Sequence, residues 1–220
     1  TARGSSVSVV ERRFATSVSL DLIFAAPDET LAGWQADLDA AIELGIDHIS
    51  AYGLTYEKGT TFWNRRRAGT LTEQAEETQR EMYLTAIDRL TAAGYEHYEV
   101  SNFARSGHRC RHNETYWAAD EYWAVGPGAA RYVAGRREVN HRSTSTWIRR
   151  LLAGESPVAE SETLGPEDRA REALVLALRR IEGVGREPFA ARHGFTVDAL
   201  FGPELASLVE RGLLADDTSR

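Results

Sequence analysis

The sequence predicts an α/β chain in which part of a parallel sheet, with its covering helices, is followed by a small helical module. Three observations carry this. A β-rich run, a run with helical period and a second β-rich run follow one another between Ser17 and Leu54, the order of a βαβ unit with a right-handed crossover. A long amphipathic stretch and an alternating segment then repeat that order up to Val100. Beyond Pro166 the pattern is helical throughout.

In chain order, Ser17-Val18-Ser19-Leu20-Asp21-Leu22-Ile23-Phe24 is the first strand, bounded by Ala25-Ala26-Pro27-Asp28. Apolar residues near its end fall on both faces, as in a buried parallel strand. Thr30 is placed to cap a helix in which Leu31, Trp34, Leu38, Ala41 and Ile42 recur up to Gly45. Ile46 to Leu54 gives the second strand. Lys58-Gly59-Thr60-Thr61 reads as a loop, and Arg65-Arg66-Arg67 as a solvated helix end. A long helix follows, capped by Thr72, with Ala75, Met82, Tyr83, Ala86, Ile87 and Leu90 as its apolar stripe up to Gly94. Tyr95 to Val100 alternates and reads as a third strand of the same parallel sheet.

From Ser106 to Arg142 the chain is aromatic, glycine-rich and irregular. A helix starts at Ser143 and carries Trp147, Leu151 and Leu152. Ser156-Pro157 to Gly165-Pro166 reads as a linker. Helical patterns occupy Pro166–Arg180, Glu187–His193 and Leu200–Arg211, and Gly212-Leu213-Leu214 reads as the start of a strand in a winged-helix-like module. The expected domains are residues 1–105, an insert over 106–160 and a helical domain over 161–220.

Hydrophobic content of 42% and charged content of 27% fit a folded soluble protein. A net charge of −7 argues against nucleic acid as a partner. A single cysteine leaves no internal disulfide and no zinc or iron–sulfur site built from several cysteines of this chain. With no long apolar run and no apolar core in Thr1 to Ser6, a cytoplasmic location without membrane spans is the expectation.

The segment richest in chemistry is Arg109-Cys110-Arg111-His112-Asn113-Glu114-Thr115-Tyr116-Trp117. Thiolate and imidazole are iron ligands, aromatic rings stack on planar macrocycles, and arginines pair with carboxylates. Porphyrin binding is the functional reading, and a buried thiol beside a surface histidine is the plain one. Ser106-Gly107 argues against a helix here, so a zinc pair from His108 and His112 is not expected. Asp21 sits between Leu20 and Leu22, where a carboxylate faces a ligand or bonds a helix N-terminus. Thr55 and Tyr56 follow the second strand at its C-terminal mouth. Gly126-Pro127-Gly128 reads as a packing turn rather than a phosphate loop.

These motifs carry a resemblance. Ser19-Leu20-Asp21-Leu22-Ile23-Phe24 with Pro27 and Thr30, and His48-Ile49-Ser50-x-Tyr52-x-Leu54-Thr55, resemble the fifth and sixth barrel strands of radical S-adenosylmethionine enzymes of the oxygen-independent coproporphyrinogen III oxidase family. Gly94 to Arg105 resembles the stretch before that family's C-terminal extension. Cys110-Arg111-His112-Asn113-x-x-Tyr116-Trp117 is similar to the H-N-x-x-Y-W signature of its heme-chaperone branch, HemW. The resemblance implies a partial TIM-type barrel, an insert and a small winged-helix-like domain. It implies that Asp21 and Thr55 line an S-adenosylmethionine pocket and that His112 binds heme, with Cys110, Tyr116 and Trp117 beside it. The chain then corresponds to a C-terminal fragment without the C-x-x-x-C-x-x-C loop that holds the family's [4Fe–4S] cluster, and it is expected to be catalytically inactive alone. The implied function is heme binding and delivery to respiratory hemoproteins, with radical oxidative decarboxylation of coproporphyrinogen III as the alternative. Self-association through the uncovered edge of the first strand is a further expectation. Ala25 stands where the family has glycine, and Ala130 where relatives often have histidine.

Overall fold

The computed structural model describes residues 17–217. It divides into two compact units, Thr1–Cys110 and Arg111–Arg220.

The first unit runs β1 (Ser19–Phe24), α1 (Leu31–Glu43), β2 (His48–Gly53), α2 (Thr61–Arg67), α3 (Glu76–Ala92), β3 (Glu96–Glu99), β4 (Asn102–Ala104). Its sheet has the order β1-β2-β4-β3. β1 and β2 are parallel, in register from Ser19 opposite His48 to Phe24 opposite Gly53. The third strand is not their parallel neighbour. β4, which the sequence pattern did not reveal, lies between β2 and β3 and is antiparallel to both. The reversal is made locally: the Glu99 carboxylate accepts from the Ser101 backbone N–H at 3.2 Å and from the Asn102 side-chain amide. The chain therefore doubles back over Val100-Ser101.

Thr30 caps α1 as expected, its Oγ1 accepting from the Gly33 N–H at 3.1 Å. Trp34, Leu38 and Ala41 are the buried stripe of α1. They pack with Ile49, Phe103 and the Met82, Ala86 and Leu90 stripe of α3 into one core. Trp34 Nε1 donates to the Met82 carbonyl at 2.9 Å, so the indole joins the two helices. Thr72 does not cap α3. That helix starts at Glu76 after Ala75, with Glu76 and Glu77 in its first turn, where acids favour the helix dipole. Gln74 holds the preceding chain extended, donating to the carbonyls of Ala26 and Glu29 at 3.2 and 2.9 Å. Ile23 is 56% exposed, so β1 is buried on one face rather than both. Ala25 adopts the left-handed conformation, φ 63, keeping the backbone that a glycine would take there.

The second unit runs α4 (Arg111–Trp117), β5 (Ala130–Val133), β6 (Arg136–Asn140), α5 (Thr144–Leu152), β7 (Val158–Thr163), α6 (Pro166–Ala177), α7 (Arg186–His193), α8 (Val197–Glu210). β5, β6 and β7 form an antiparallel sheet in that order. The stretch read as a linker is thus strand β7. Its side chains are mostly exposed, so ladder hydrogen bonds rather than burial define it. The aromatic segment is also more regular than expected: α4 starts at Arg111, beyond Ser106 and Gly107, which therefore do not interrupt it. α6, α7 and α8 share a core of Ala173, Leu174, Ala177, Phe189, Val197 and Leu200. Gly212-Leu213-Leu214 does not begin a strand. Gly212 is left-handed, φ 68, and the N–H groups of Leu213 and Leu214 return to the Leu208 carbonyl at 2.9 and 3.3 Å, closing α8 as glycine C-caps do.

Leu38 is fully buried, so Leu38→Ala should cost about 2–5 kcal/mol of stability, and Thr30→Ala about 1 kcal/mol. Urea unfolding of the variants checks both values; an unchanged midpoint for Leu38→Ala would contradict the packing described.

Candidate functional site

The β1–β2 register divides the first unit's sheet by chemistry. Leu20, Leu22 and Phe24 belong with Ile49 and Ala51 on the face covered by α1 and α3. Ser19, Asp21 and Ile23 share the other face with His48, Ser50 and Tyr52. Asn102, opposite Ser50, extends this face with Glu99. His48, Ser50, Glu99 and Asn102 are all buried. Glu99 Oε2 and Asn102 Oδ1 have no hydrogen-bond partner among the described residues.

His48 organises one part of this face. Its Nδ1 lies 2.9 Å from Ser19 Oγ and its Nε2 lies 2.8 Å from the Tyr98 hydroxyl. The same hydroxyl accepts the Cys110 backbone N–H at 3.3 Å. Arg109 lies over the Tyr98 ring, its guanidinium carbon 5.2 Å from the centroid, and forms an ion pair with Glu96. The start of the signature run is thus tied to the sheet by Tyr98. Burial holds His48 below the ordinary histidine value of 6.5, while the Asp21 carboxylate opposes this.

Asp21 is exposed, third in β1 and opposite Ser50, so it is no buried core carboxylate. Thr55 is exposed just past the end of β2. Cys110 is a free, half-buried thiol.

His112, Tyr116 and Trp117 all lie on α4. His112 is exposed and meets Tyr116 edge-on, with centroids 4.7 Å apart, as the i, i+4 spacing of a helix allows. Tyr116 meets Tyr122 at 4.6 Å, and Tyr122 meets Tyr132 at 6.2 Å. Burial, with Tyr122 adding to it, raises the Tyr116 phenol above its ordinary value, so that hydroxyl stays protonated. Trp117 points elsewhere: the guanidinium of Arg179 lies 4.4 Å from its ring centroid. The structure therefore brings His112 and Tyr116 together and gives Trp117 a separate partner. Tyr122, Tyr132 and His48 were not picked out as site residues from the sequence. Tyr122 and Tyr132 join the ring line through backbone pairing, their N–H and C=O groups exchanging bonds at 2.9 and 3.0 Å.

The partial α/β sheet, the helix bearing H-N-x-x-Y-W and the terminal helices define a class, and comparison with known proteins supports it. Residues 164–220 match the HemN C-terminal domain family. A solved structure of coproporphyrinogen III oxidase (HemN) from Escherichia coli, described as a radical SAM enzyme, superposes with a TM-score of 0.72 at 16% identity, covering 90% of this chain and 48% of that one. The fold is thus the α/β type of that oxidase over the part spanned, followed by its C-terminal module.

More particularly, the chain has HemW heme chaperones among its homologues. It is 34% identical over 203 residues to the heme chaperone HemW of Bacillus subtilis, covering 92% of this chain and 54% of that protein. It is 33% identical over 215 residues to the HemW of Lactococcus lactis, covering 98% and 56%. Radical S-adenosyl methionine domain-containing protein 1, mitochondrial, of Danio rerio is 34% identical over 187 residues, covering 81% and 42%. The chain spans about half the length of the curated relatives it matches. Among the described residues no helix is long and apolar enough to cross a membrane.

The lowered His48 value has a sign that can be checked. The folded state disfavours the imidazolium, so its contribution to stability is present above the ordinary value of 6.5 and is lost as the pH falls below it through the lowered value of the folded state. His193, also lowered by burial, acts in the same direction. His48→Gln is expected to reduce the decline of the urea midpoint between about pH 7 and 5 without abolishing it. An unaltered pH profile would show that His48 is not held neutral.

Proposed function

We propose that the chain is the heme-carrying part of a radical SAM-type heme chaperone, with His112 as the iron ligand. The observation that carries this reading is the exposed imidazole of His112 on α4, supported edge-on by Tyr116 at 4.7 Å. An exposed imidazole nitrogen can supply a lone pair to iron. Tyr116 orients that ring and provides aromatic surface for the porphyrin beside it, whereas Trp117, packed under the Arg179 guanidinium, supports the helix rather than the porphyrin face. Cys110 is the neighbouring soft donor, its backbone N–H fixed by Tyr98.

Asp21 and Thr55 are assigned to S-adenosylmethionine. The exposed Asp21 carboxylate, on the polar sheet face, can accept from the ammonium or hydroxyl groups of that cofactor, and the Thr55 hydroxyl lies past the neighbouring strand. When bound, S-adenosylmethionine would supply a sulfonium group, and its reductive cleavage would need an electron that no group of this chain provides. A [4Fe–4S] cluster does not fit these residues, because one cysteine cannot provide the thiolates it requires. No step through a cluster follows from this chain. The biological role in this reading is delivery of heme to respiratory hemoproteins by a cytoplasmic protein. The alternative, coproporphyrinogen III oxidation, has support only from the likeness of fold to the oxidase.

Heme titrated into the chain should give a Soret shift that His112→Ala removes while leaving the far-UV circular dichroism unchanged. Equal shifts in wild type and variant would remove His112 from the site. The outer edge of β1 is unpaired among the described residues, and open strand edges recruit other strands. Concentration-dependent dimers are therefore expected in sedimentation velocity; a monodisperse monomer at all concentrations would contradict that surface.

A further inference from the structure

The second unit contains a cavity of about 310 Å³ among α6, α7, the β5–β6 turn and the loop after α4, lined by Asp120, Glu121, Tyr132, Arg169, Arg192 and His193 with small apolar residues between them. We propose that this cavity binds a carboxylate group through Arg169.

The charges of the lining show which cation is available. Arg192 is paired with Asp120 at 2.6 Å. Glu121 accepts the Ala134 backbone N–H at 2.7 Å. Burial, with Arg192 beside it, holds His193 below its ordinary value, so it brings a neutral ring. Arg137, whose guanidinium lies over Tyr132, is committed to Glu172 at 2.6 Å and to Glu162. Alone among these cations, Arg169 has a side chain with no hydrogen bond or ion pair among the described residues, although it is half-buried. A half-buried guanidinium offers a planar fork of donors matched to a carboxylate.

The backbone makes room for this fork. A Cβ on Gly135 would lie 2.6 Å from Arg169 Nη1 and 3.1 Å from its Cδ, and Gly135 has φ 76. Glycine here serves both the turn and the close approach of the guanidinium. The apolar part of the wall is formed by Ala119, Ala134, Pro166, Ala173 and the Tyr132 ring. A carboxylate attached to a flat apolar body meets both parts of such a lining.

Tyr132 is also the far end of the ring line that reaches His112 through Tyr122 and Tyr116. The carboxylate therefore has two possible carriers, a side chain of a tetrapyrrole whose iron is near His112, or a free aromatic acid. The first carrier rests on the reading of His112 as an iron ligand, and the second does not.

The test titrates hemin, hemin dimethyl ester and benzoate into the whole chain as wild type, Arg169→Gln and Arg169→Lys, following Soret absorbance for the porphyrins and heat for benzoate. Circular dichroism confirms that the variants fold. Loss of one charge-assisted pair should weaken hemin about tenfold or more in Arg169→Gln. The dimethyl ester should bind wild type as weakly as hemin binds Arg169→Gln and should not sense the substitution, while Arg169→Lys recovers part of the affinity. If hemin is indifferent to Arg169→Gln, or does not bind at all, but benzoate binds wild type and not the variant, the site stands with a free acid as its ligand. If neither hemin nor benzoate distinguishes Arg169→Gln from wild type, the proposal is overturned. His112→Ala, measured in parallel, reports separately on the iron ligand.

Discussion

The register of β1 on β2 is the constraint on which the first unit depends. Side chains alternate along a strand, so the pairing of Asp21 with Ser50 decides every other position on both strands. It directs Leu20, Leu22 and Phe24 toward the helices and leaves Ser19 and Asp21 beside His48 and Ser50. A slip of one residue would press Asp21 against Trp34 and Leu38 and expose the leucines. The apolar face dominates the choice of register, and on the polar face the Ser19–His48 bond at 2.9 Å adds to it.

Much of this was legible because it is local. Thr30, the spacing of Trp34, Leu38 and Ala41, and the alternation around Asp21 are short-range signals, and the structure follows them. What escaped depends on partners distant in sequence or on polar contacts. β4 is short and exists because Glu99 turns the chain back and β2 receives it. β7 carries Glu160 and Glu162 in an exposed strand, a composition indistinguishable from a linker until β6 pairs with it. The position of Thr72 suggested a cap, yet Gln74 binds the carbonyls of Ala26 and Glu29 and delays the helix.

The candidate site divides in the same way. His112 and Tyr116 stand out from a nine-residue run and are neighbours by helix geometry alone. Tyr122 and Tyr132 join them only because two distant backbone segments pair. Arg169 carries no sequence signal: an arginine in the early turns of an acidic helix reads as a solvated charge. Its isolation emerges only when the partners of Arg192, Glu121 and Arg137 have been assigned. Local pattern therefore exposes the group proposed to meet the iron, and tertiary accounting exposes the group proposed to meet a carboxylate.

The Tyr98 hydroxyl serves two clients at once, the buried ring of His48 and the backbone amide of Cys110. Phenylalanine would fill nearly the same volume but would leave both clients without that oxygen, and an orphaned buried group such as the His48 ring costs about 1–3 kcal/mol. Position 98 is thus intolerant of a substitution that is conservative in shape. The effect of that loss would surface twelve residues downstream, where amide exchange at Cys110 becomes a remote gauge of the sheet's integrity.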